Sequence, residues 1–200
     1  MAREEIVSSA SEELILVDEQ DRPIGSELKG VCHEGAGILH RAFSIFIFNR
    51  DDELLLQQRS DSKPLWPLYW SNTCCSHPRA GETMEVALSR RLRQELGFDC
   101  DLTYLYKFKY QAPYGALGAE REYCWVYVGF YDGTVDANQS EIADWRYIDI
   151  ESLNRELESQ PEGFTPWFKL EWAHIQDNFL DAILARQAPA ARQRQLTEQV

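Results

Sequence analysis

Long apolar runs and an excess of basic charge are both missing from this sequence. No run of about 18 apolar residues occurs, which excludes a membrane-spanning helix. The N-terminal residues also lack the apolar segment that a secretory signal needs. Lysine and arginine total 20 against 33 aspartates and glutamates, so the net charge is −13. We therefore expect neither a nucleic-acid nor a membrane partner, and an anionic substrate would need a local group of cations or a metal to hold it.

Cysteine is scarce and poorly arranged for disulfide bonds. The chain has five cysteines, and two of them, Cys74 and Cys75, are adjacent and cannot easily bridge each other. An odd number with adjacent members fits a reducing compartment better than a disulfide framework, so we expect a cytoplasmic location.

The length and composition suit one folded domain, since 44% of the 200 residues are hydrophobic. We predict a flexible tail over residues 1–11, a single domain over 12–180 and a helical extension over 181–200 that frays.

The hydrophobic pattern predicts strands interleaved with helices. Phe43, Ile45 and Ile47 alternate with other apolar residues, which indicates a strand that is buried on both faces. The predicted strands cover residues 14–17, 41–48, 54–56, 104–110, 120–130 and 145–150, with a turn at 18–23 and an ordered loop at 60–69. The predicted helices cover residues 83–94, 151–159 and 166–186. This order predicts a layered α/β (mixed α+β) fold, with a mixed sheet flanked by helices.

Residues 76–98 match much of the Nudix box, G-x5-E-x7-R-E-U-x-E-E-x-G-U, where U is apolar. The positions that fit are Glu82, Arg90, Leu92, Glu95, Gly97 and Phe98, and those that depart are Ser76, Arg91 and Gln94. Two of the three clustered carboxylates that hold metal in a Nudix hydrolase are thus replaced, one of them by a cation. The segment therefore predicts a Nudix-type fold with different chemistry.

Two further pairs of residues are candidate metal ligands. His33 and His40 are seven residues apart, which places them on one face of a helix, but the glycines between them are equally compatible with a loop. Glu120 and Glu122 would point to the same face of a strand, toward the core. Either cations or a metal ion neutralise these two carboxylates in the core, or the carboxylates lie at the end of the strand and are hydrated by water.

A thiol precedes an imidazole by two residues, at Cys75 and His77. Cys75 is either a small buried residue or a reactive thiol whose pKa is lowered by His77 and any bound metal. Arg91 and Glu95 are spaced i, i+4, as in a surface ion pair, or else they contact a substrate anion and a metal. Three other cations, when each is considered alone, are most simply interpreted as ordinary charged residues in contact with water. They are Lys29, Arg59 and Lys63.

Five separated motifs together resemble the type I isopentenyl-diphosphate isomerases. They are Lys29-x3-His33-x6-His40 with Arg59-x3-Lys63, then Thr73-Cys-Cys-Ser-His77-Pro78, the altered Nudix box, Glu120-Arg-Glu122 and Thr165-Pro-Trp167. The resemblance covers about residues 12–175.

This resemblance implies roles for particular residues. One metal site, for Mn²⁺, Zn²⁺ or Mg²⁺, would be formed by His33, His40, His77, Glu120 and Glu122. Glu95 would help to bind a second ion, Mg²⁺, on the substrate diphosphate, and the binding cations would be Lys29, Arg59, Lys63 and Arg91. Proton transfer would fall to Cys75 and Glu122, assisted by Tyr110, while the indole of Trp167 would support a carbocation.

The activity implied is the interconversion of isopentenyl and dimethylallyl diphosphate through a tertiary carbocation, in isoprenoid biosynthesis. The partner would be a small homoallylic or allylic diphosphate. Two alternatives stay open, a Nudix hydrolase of an organic or nucleoside diphosphate and an inactive binding module on the same fold. The oligomeric state is also open, and a monomer is compatible with the sequence.

Overall fold

Residues 3–186, the part of the chain described by this computed structural model, contain nine strands in one mixed sheet. The strands are β1 Glu13–Val17, β2 Pro23–Leu28, β3 His40–Phe48, β4 Leu54–Arg59, β5 Trp70–Ser71, β6 Cys74–Ser76, β7 Leu102–Tyr114, β8 Gly118–Phe130 and β9 Ile142–Ile148. The helices are α1 Lys29–Cys32, α2 Met84–Leu96, α3 Ile150–Ser159, α4 Pro166–Asn178 and α5 Leu180–Leu184, and a 3₁₀ turn covers Pro161–Gly163.

Strand β3 is the centre of the sheet. It pairs with β8 in parallel over its full length, from His40 opposite Glu122 to Phe48 opposite Phe130. On its other side the short strand β6 pairs antiparallel, with Ser44 opposite Cys75. This register places the start of β3 between two segments, 74–76 and 118–130, that carry predicted site residues.

The two faces of β3 belong to two separate cores, as its alternating apolar residues predict. Phe43, Ile45 and Ile47 pack with the buried side of α2. Ala42, Phe46 and Phe48 pack with helix α4 on the opposite side of the sheet. The sheet is therefore a middle layer between helices, which confirms the predicted fold class.

Helix α2, predicted over 83–94, covers Met84–Leu96, so it starts one residue later and ends two residues later than predicted. The Thr83 side chain caps its N-terminus by accepting a hydrogen bond from the backbone N–H of Val86. Gly97 follows the last turn with a φ of 77°, a left-handed conformation in which a Cβ would lie only 2.8 Å from the Cβ of Asp136. A glycine is required here on both counts, since only it fits the conformation and the space.

One predicted helix differs from the observed structure, and some observed strands were not predicted. The single helix predicted over residues 166–186 is two helices, because Phe179 leaves the helical conformation with a φ of −130° and stacks on Tyr106. The predicted turn at 18–23 joins β1 to strand β2, which was not predicted because most of its side chains are exposed and show no apolar pattern. No helix within residues 3–186 is long and apolar enough to cross a membrane. Most of the predicted C-terminal extension lies outside the described residues.

Candidate active site

A cavity of about 440 Å³ opens above the start of β3. Its walls come from α1, the loop after β4, β6, β7, β8, α2, α4 and the N-terminal segment. The predicted site residues that line it are Lys29, His33, Arg59, Lys63, Cys75, His77, Arg91, Tyr110, Glu120, Glu122 and Trp167. Residues that are far apart in the chain are thus brought into one pocket.

Backbone geometry brings the three histidines and two glutamates together. His33 is the C-cap residue of α1, neither mid-helix nor in an open loop, and His40 begins β3 directly opposite Glu122. Gly118 lets β8 pass close over His33, because a Cβ there would lie 2.3 Å from the carbonyl oxygen of His33. The backbone N–H of Ala119 donates to that same carbonyl at 3.0 Å. Glu120, two residues on, then faces His33.

The resulting cluster has the composition and spacing of a divalent metal site. One ligand atom from each of the five residues lies within 4.8 Å of the others, and His40, Glu120 and Glu122 are buried. Its members are His33, His40, His77, Glu120 and Glu122. Inside the cluster, Nε2 of His33 is 2.9 Å from Oε2 of Glu120, and Nε2 of His77 is 2.8 Å from Oε1 of Glu122.

Hydrogen bonds behind the cluster turn the histidine nitrogens toward its centre. Nδ1 of His33 contacts the carbonyl oxygen of Lys29, and Nδ1 of His40 contacts that of Ile38, both at 2.7 Å. Bonded this way, each imidazole presents Nε2 inward, which is the usual arrangement for a metal ligand. Nε2 of His40 is buried without a hydrogen-bond partner, as expected of a ligand atom that a cation would satisfy. The residues therefore fit a divalent ion.

The protonation of the cluster follows from burial and its internal contacts. Burial, with His40 nearby, lowers the pKa of His77 well below its usual value, so His77 is a neutral imidazole. Burial alone would raise the pKa of Glu122, but His40 and Tyr110 outweigh it and lower that pKa. The Tyr110 hydroxyl donates to Oε2 of Glu122 at 2.6 Å. Glu122 is thus a carboxylate that also contacts a buried phenol.

Cys75 faces the cavity, whereas Cys74 points the other way into the α2 core. The Cys75 thiol donates to Oδ1 of Asn72 at 2.7 Å, and Nε1–H of Trp167 donates to its sulfur at 3.2 Å. Burial, followed by the charge of Glu171, raises the pKa of Cys75 to about 12. The expectation that this pKa is lowered is therefore wrong for the protein alone, and Cys75 carries its proton.

Three cations in the cavity wall, Lys29, Lys63 and Arg91, are grouped around Glu141. Arg91 is only 2% exposed and pairs with Glu95 at 2.6 Å and Glu141 at 3.1 Å, so this helix pair is buried and not at the surface. Lys63 also pairs with Glu141. Burial, with Lys63 and Arg91 nearby, lowers the pKa of Lys29 to about 8. The positive charges thus repel one another, and a bound anion would neutralise them.

Arg59 has a different environment. Its guanidinium donates to the carbonyls of Leu65 and Trp66, which fixes the predicted loop, and lies 5.3 Å from the ring centroid of Trp167. Glu95 does not line the cavity and is held by Arg91, so its proposed contact with Mg²⁺ stays a prediction.

The N-terminal segment forms part of the cavity wall. The carbonyl of Val7 accepts from Arg91 at 2.8 Å, and the Ser8 hydroxyl accepts from Nζ of Lys29. Sequence reasoning did not assign a role to Ser8, Asn72 or Glu141. Glu141 is one of 33 acidic residues and follows no motif, so nothing in the sequence distinguishes it.

Comparison with known proteins agrees with this geometry. Residues 38–168 match the NUDIX domain model. A Photorhabdus laumondii protein named Isopentenyl-diphosphate Delta-isomerase 1 is 42% identical over 174 residues, which cover 86% of this chain and 99% of that protein. The chain belongs to the isopentenyl-diphosphate Delta-isomerase family. A Burkholderia multivorans member is 45% identical over 78% of this chain and 89% of its own. A Gibberella zeae member is 36% identical and aligns with 92% of this chain and 84% of its own.

Solved structures support the family's fold. A crystal structure from Deinococcus radiodurans matches with a TM-score of 0.61 and 24% identity, covering 74% of this chain and 90% of that one. At this identity the likeness concerns the fold alone. The predicted family and fold are therefore confirmed, while the domain boundaries and the role of each site residue stay predictions.

Proposed function

We propose that this protein interconverts isopentenyl diphosphate and dimethylallyl diphosphate, as the names of its relatives indicate for them. The observation that carries the proposal is the placement of Cys75 and Glu122. They reach one cavity from β6 and β8, which lie on opposite sides of β3. Two proton-transfer groups approaching a substrate from different strands suit a reaction that adds a proton at one carbon and removes one from the carbon two positions along.

The cations of the cavity wall would bind the diphosphate. Lys29, Lys63, Arg59 and Arg91 all line the cavity, and the protein's net charge of −13 gives no long-range attraction to an anion. Bound phosphate oxygens would accept from these side chains and relieve the mutual repulsion of Lys29, Lys63 and Arg91. The hydrocarbon part would then extend toward Cys75 and Trp167.

The reaction moves one double bond. A proton is added to the terminal methylene carbon, and the π electrons form the new C–H bond and leave a tertiary cation. A proton then leaves the CH₂ carbon that joins the cationic carbon to the rest of the diphosphate chain. The electrons of that C–H bond become the new double bond. One of Cys75 and Glu122 donates the first proton and the other accepts the second, and the reverse direction exchanges these roles.

Three features of the site favour this chemistry. The Tyr110 hydroxyl, bonded to Glu122, can pass a proton to or from that carboxylate. The indole of Trp167 is 3% exposed and lines the cavity, so an electron-rich but non-nucleophilic face borders the substrate carbons. The burial of Trp167 and Glu122 also limits the access of water to the substrate carbons, where water would otherwise trap the cation as an alcohol.

The cofactors follow from the ligand set. His33, His40, His77, Glu120 and Glu122 would hold one divalent ion, Mn²⁺, Zn²⁺ or Mg²⁺. A second ion, Mg²⁺, associated with Glu95, would accompany the substrate diphosphate. When bound, the ions would supply positive charge that orients Glu122 and neutralises the phosphate oxygens.

Incubation with isopentenyl diphosphate and Mg²⁺, followed by proton and phosphorus NMR, tests the proposal. We expect dimethylallyl diphosphate to appear until equilibrium, with no inorganic phosphate or pyrophosphate released. Phosphate release without isomer would identify a hydrolase instead, and no change in any metal-loaded sample would favour a binding module. A matched Cys75→Ala sample controls for uncatalysed conversion.

A further inference from the structure

Glu171 is a fully buried carboxyl group that the proposed reaction does not use. It lies on α4, one turn after Trp167, and is 0% exposed. Its Oε1 accepts from the Cys124 thiol at 3.4 Å, and its Oε2 is buried without a hydrogen-bond partner. No lysine, arginine or histidine among residues 3–186 forms an ion pair with it. A carboxyl with no counter-charge is costly to bury, so its presence beside an active site needs an explanation.

The contacts of Glu171 place it beneath the two proposed proton-transfer groups. Cys124 is two residues after Glu122 on the same face of β8. The thiol of Cys124 lies 3.5 Å from the Ser44 hydroxyl, and Ser44 is directly opposite Cys75 in the β3–β6 pair. Glu171 is thus connected to Glu122 through Cys124, which lies two residues further along β8. It is connected to Cys75 through Cys124 and Ser44.

The groups that face Glu171 are neutral or negative. They are Cys75 from β6, Tyr106 from β7, and Glu122 and Cys124 from β8, together with the hydroxyl of Ser44 from β3. Burial, with a contribution from Glu122, raises the pKa of Glu171 to about 8. At neutral pH the carboxyl therefore keeps its proton.

We propose that Glu171 makes the isomerisation sensitive to alkaline pH: this buried carboxyl beneath the pocket permits turnover while it carries its proton and opposes the Cys75 thiolate once it is ionised. This inference rests on the proposed function. Whichever group donates first, the cycle contains one state in which Cys75 is a thiolate. An ionised Glu171 would oppose that thiolate in a low-dielectric site, whereas the neutral form does not. Glu171 does not line the cavity, so it acts through Cys75 and not on the substrate.

Turnover measured against pH tests this role. We would compare wild type with Glu171→Gln, which is neutral at every pH, from about pH 6 to about pH 10 under saturating substrate and Mg²⁺. Wild-type kcat should fall roughly tenfold between about pH 7 and about pH 9 as Glu171 ionises, while the Gln variant keeps its plateau. Saturation removes the contribution of Lys29, whose pKa is also about 8 but which acts on substrate binding and hence on KM.

Two controls separate this effect from loss of structure. Glu158→Gln makes the same change at an exposed position on α3 and should leave the wild-type pH profile unaltered. If Glu171→Gln folds poorly, Glu171→Met supplies a second neutral side chain of similar size, with thermal unfolding measured on each sample. A Gln or Met variant that folds and shows the same alkaline fall as wild type would overturn the inference. A wild type that forms no isomer at any pH would instead overturn the proposed function.

Discussion

Replacement of Trp167 tests whether its ring supports positive charge or merely fills the core. The indole is 3% exposed, meets Trp66 edge-on with the ring centroids 5.3 Å apart, and donates from Nε1 to the Cys75 sulfur at 3.2 Å. Trp167→Phe keeps a weaker π face but loses the N–H donor. Trp167→Leu loses both and keeps only apolar volume.

The expected effects follow from these contacts. A cation–π contact shielded from water contributes about 2 kcal/mol, or roughly 30-fold in rate. The hydrogen bond to sulfur contributes about 1 kcal/mol, or roughly fivefold. Trp167→Leu should therefore lower kcat by roughly 150-fold, and Trp167→Phe by roughly tenfold. KM should change little, because the positive charge develops only after the substrate is protonated.

The assay is kcat per folded molecule, with the thermal midpoint measured on the same preparations. Trp172→Phe is the matched control, since Trp172 is a buried tryptophan on the same helix whose Nε1 donates to Asn154 and which does not line the cavity. It should lower the thermal midpoint and leave kcat near the wild-type value. An unchanged kcat in Trp167→Leu, or an equal loss in Trp172→Phe, would refute a role for Trp167 in supporting the cation.

Four further outcomes can be measured. His77→Ala should reduce the divalent metal bound per chain, and metal should then raise the thermal midpoint less than in wild type; full activity in protein shown by elemental analysis to be metal-free would contradict the metal site. Cys75→Ala should remove nearly all turnover, whereas Cys74→Ala should be mild, so an equal loss in both would show that the wrong thiol is assigned. Glu171→Gln should gain stability over wild type as pH rises from 4.5 to about 8, because the folded state raises the pKa of this acid and so binds the proton that the unfolded state releases. This gain in the free energy of unfolding is at most about 5 kcal/mol, because the pKa of Glu171 differs by about 3.5 units between the folded and unfolded states. If denaturant unfolding shows the same pH dependence in the two proteins, the carboxyl is ionised throughout this range. Wild-type KM should rise above about pH 8 as Lys29 loses its proton, and a Lys29→Met variant should show a high KM without that rise.

The elements with a clear apolar period could be predicted from sequence. Leu88, Leu92 and Leu96 at i+4 spacing, with Gly97 after them, give α2 and its end. Strands β5 and β6 have two and three residues, too few for any period to show, and they exist because β4 and β3 pair with them. The break at Phe179 depends on a ring contact with Tyr106, which no local pattern contains.

The candidate site was predictable where side-chain chemistry is unusual. Cys75, His77 and the Glu120 and Glu122 pair stand out because cysteines and histidines are few in this sequence and inward-facing carboxylates are rare in a core. Glu171 does not stand out, since a glutamate on a helix is usually exposed, although its i, i+4 spacing places it on the same face as Trp167. Only the packing of α4 against β3 and β8 reveals that it is buried without a cation.

The parallel pairing of β3 with β8 also determines when the site can form during folding. His40 and Glu122 are opposite each other only after two strands separated by much of the domain have found the correct register. A slip of one residue would turn both Glu120 and Glu122 to the α2 side of the sheet. A growing chain that ends before β8 already contains all three candidate histidine ligands and Cys75, but neither carboxylate. Tight metal binding should therefore arise late in folding, as a sign that the central strands have paired correctly.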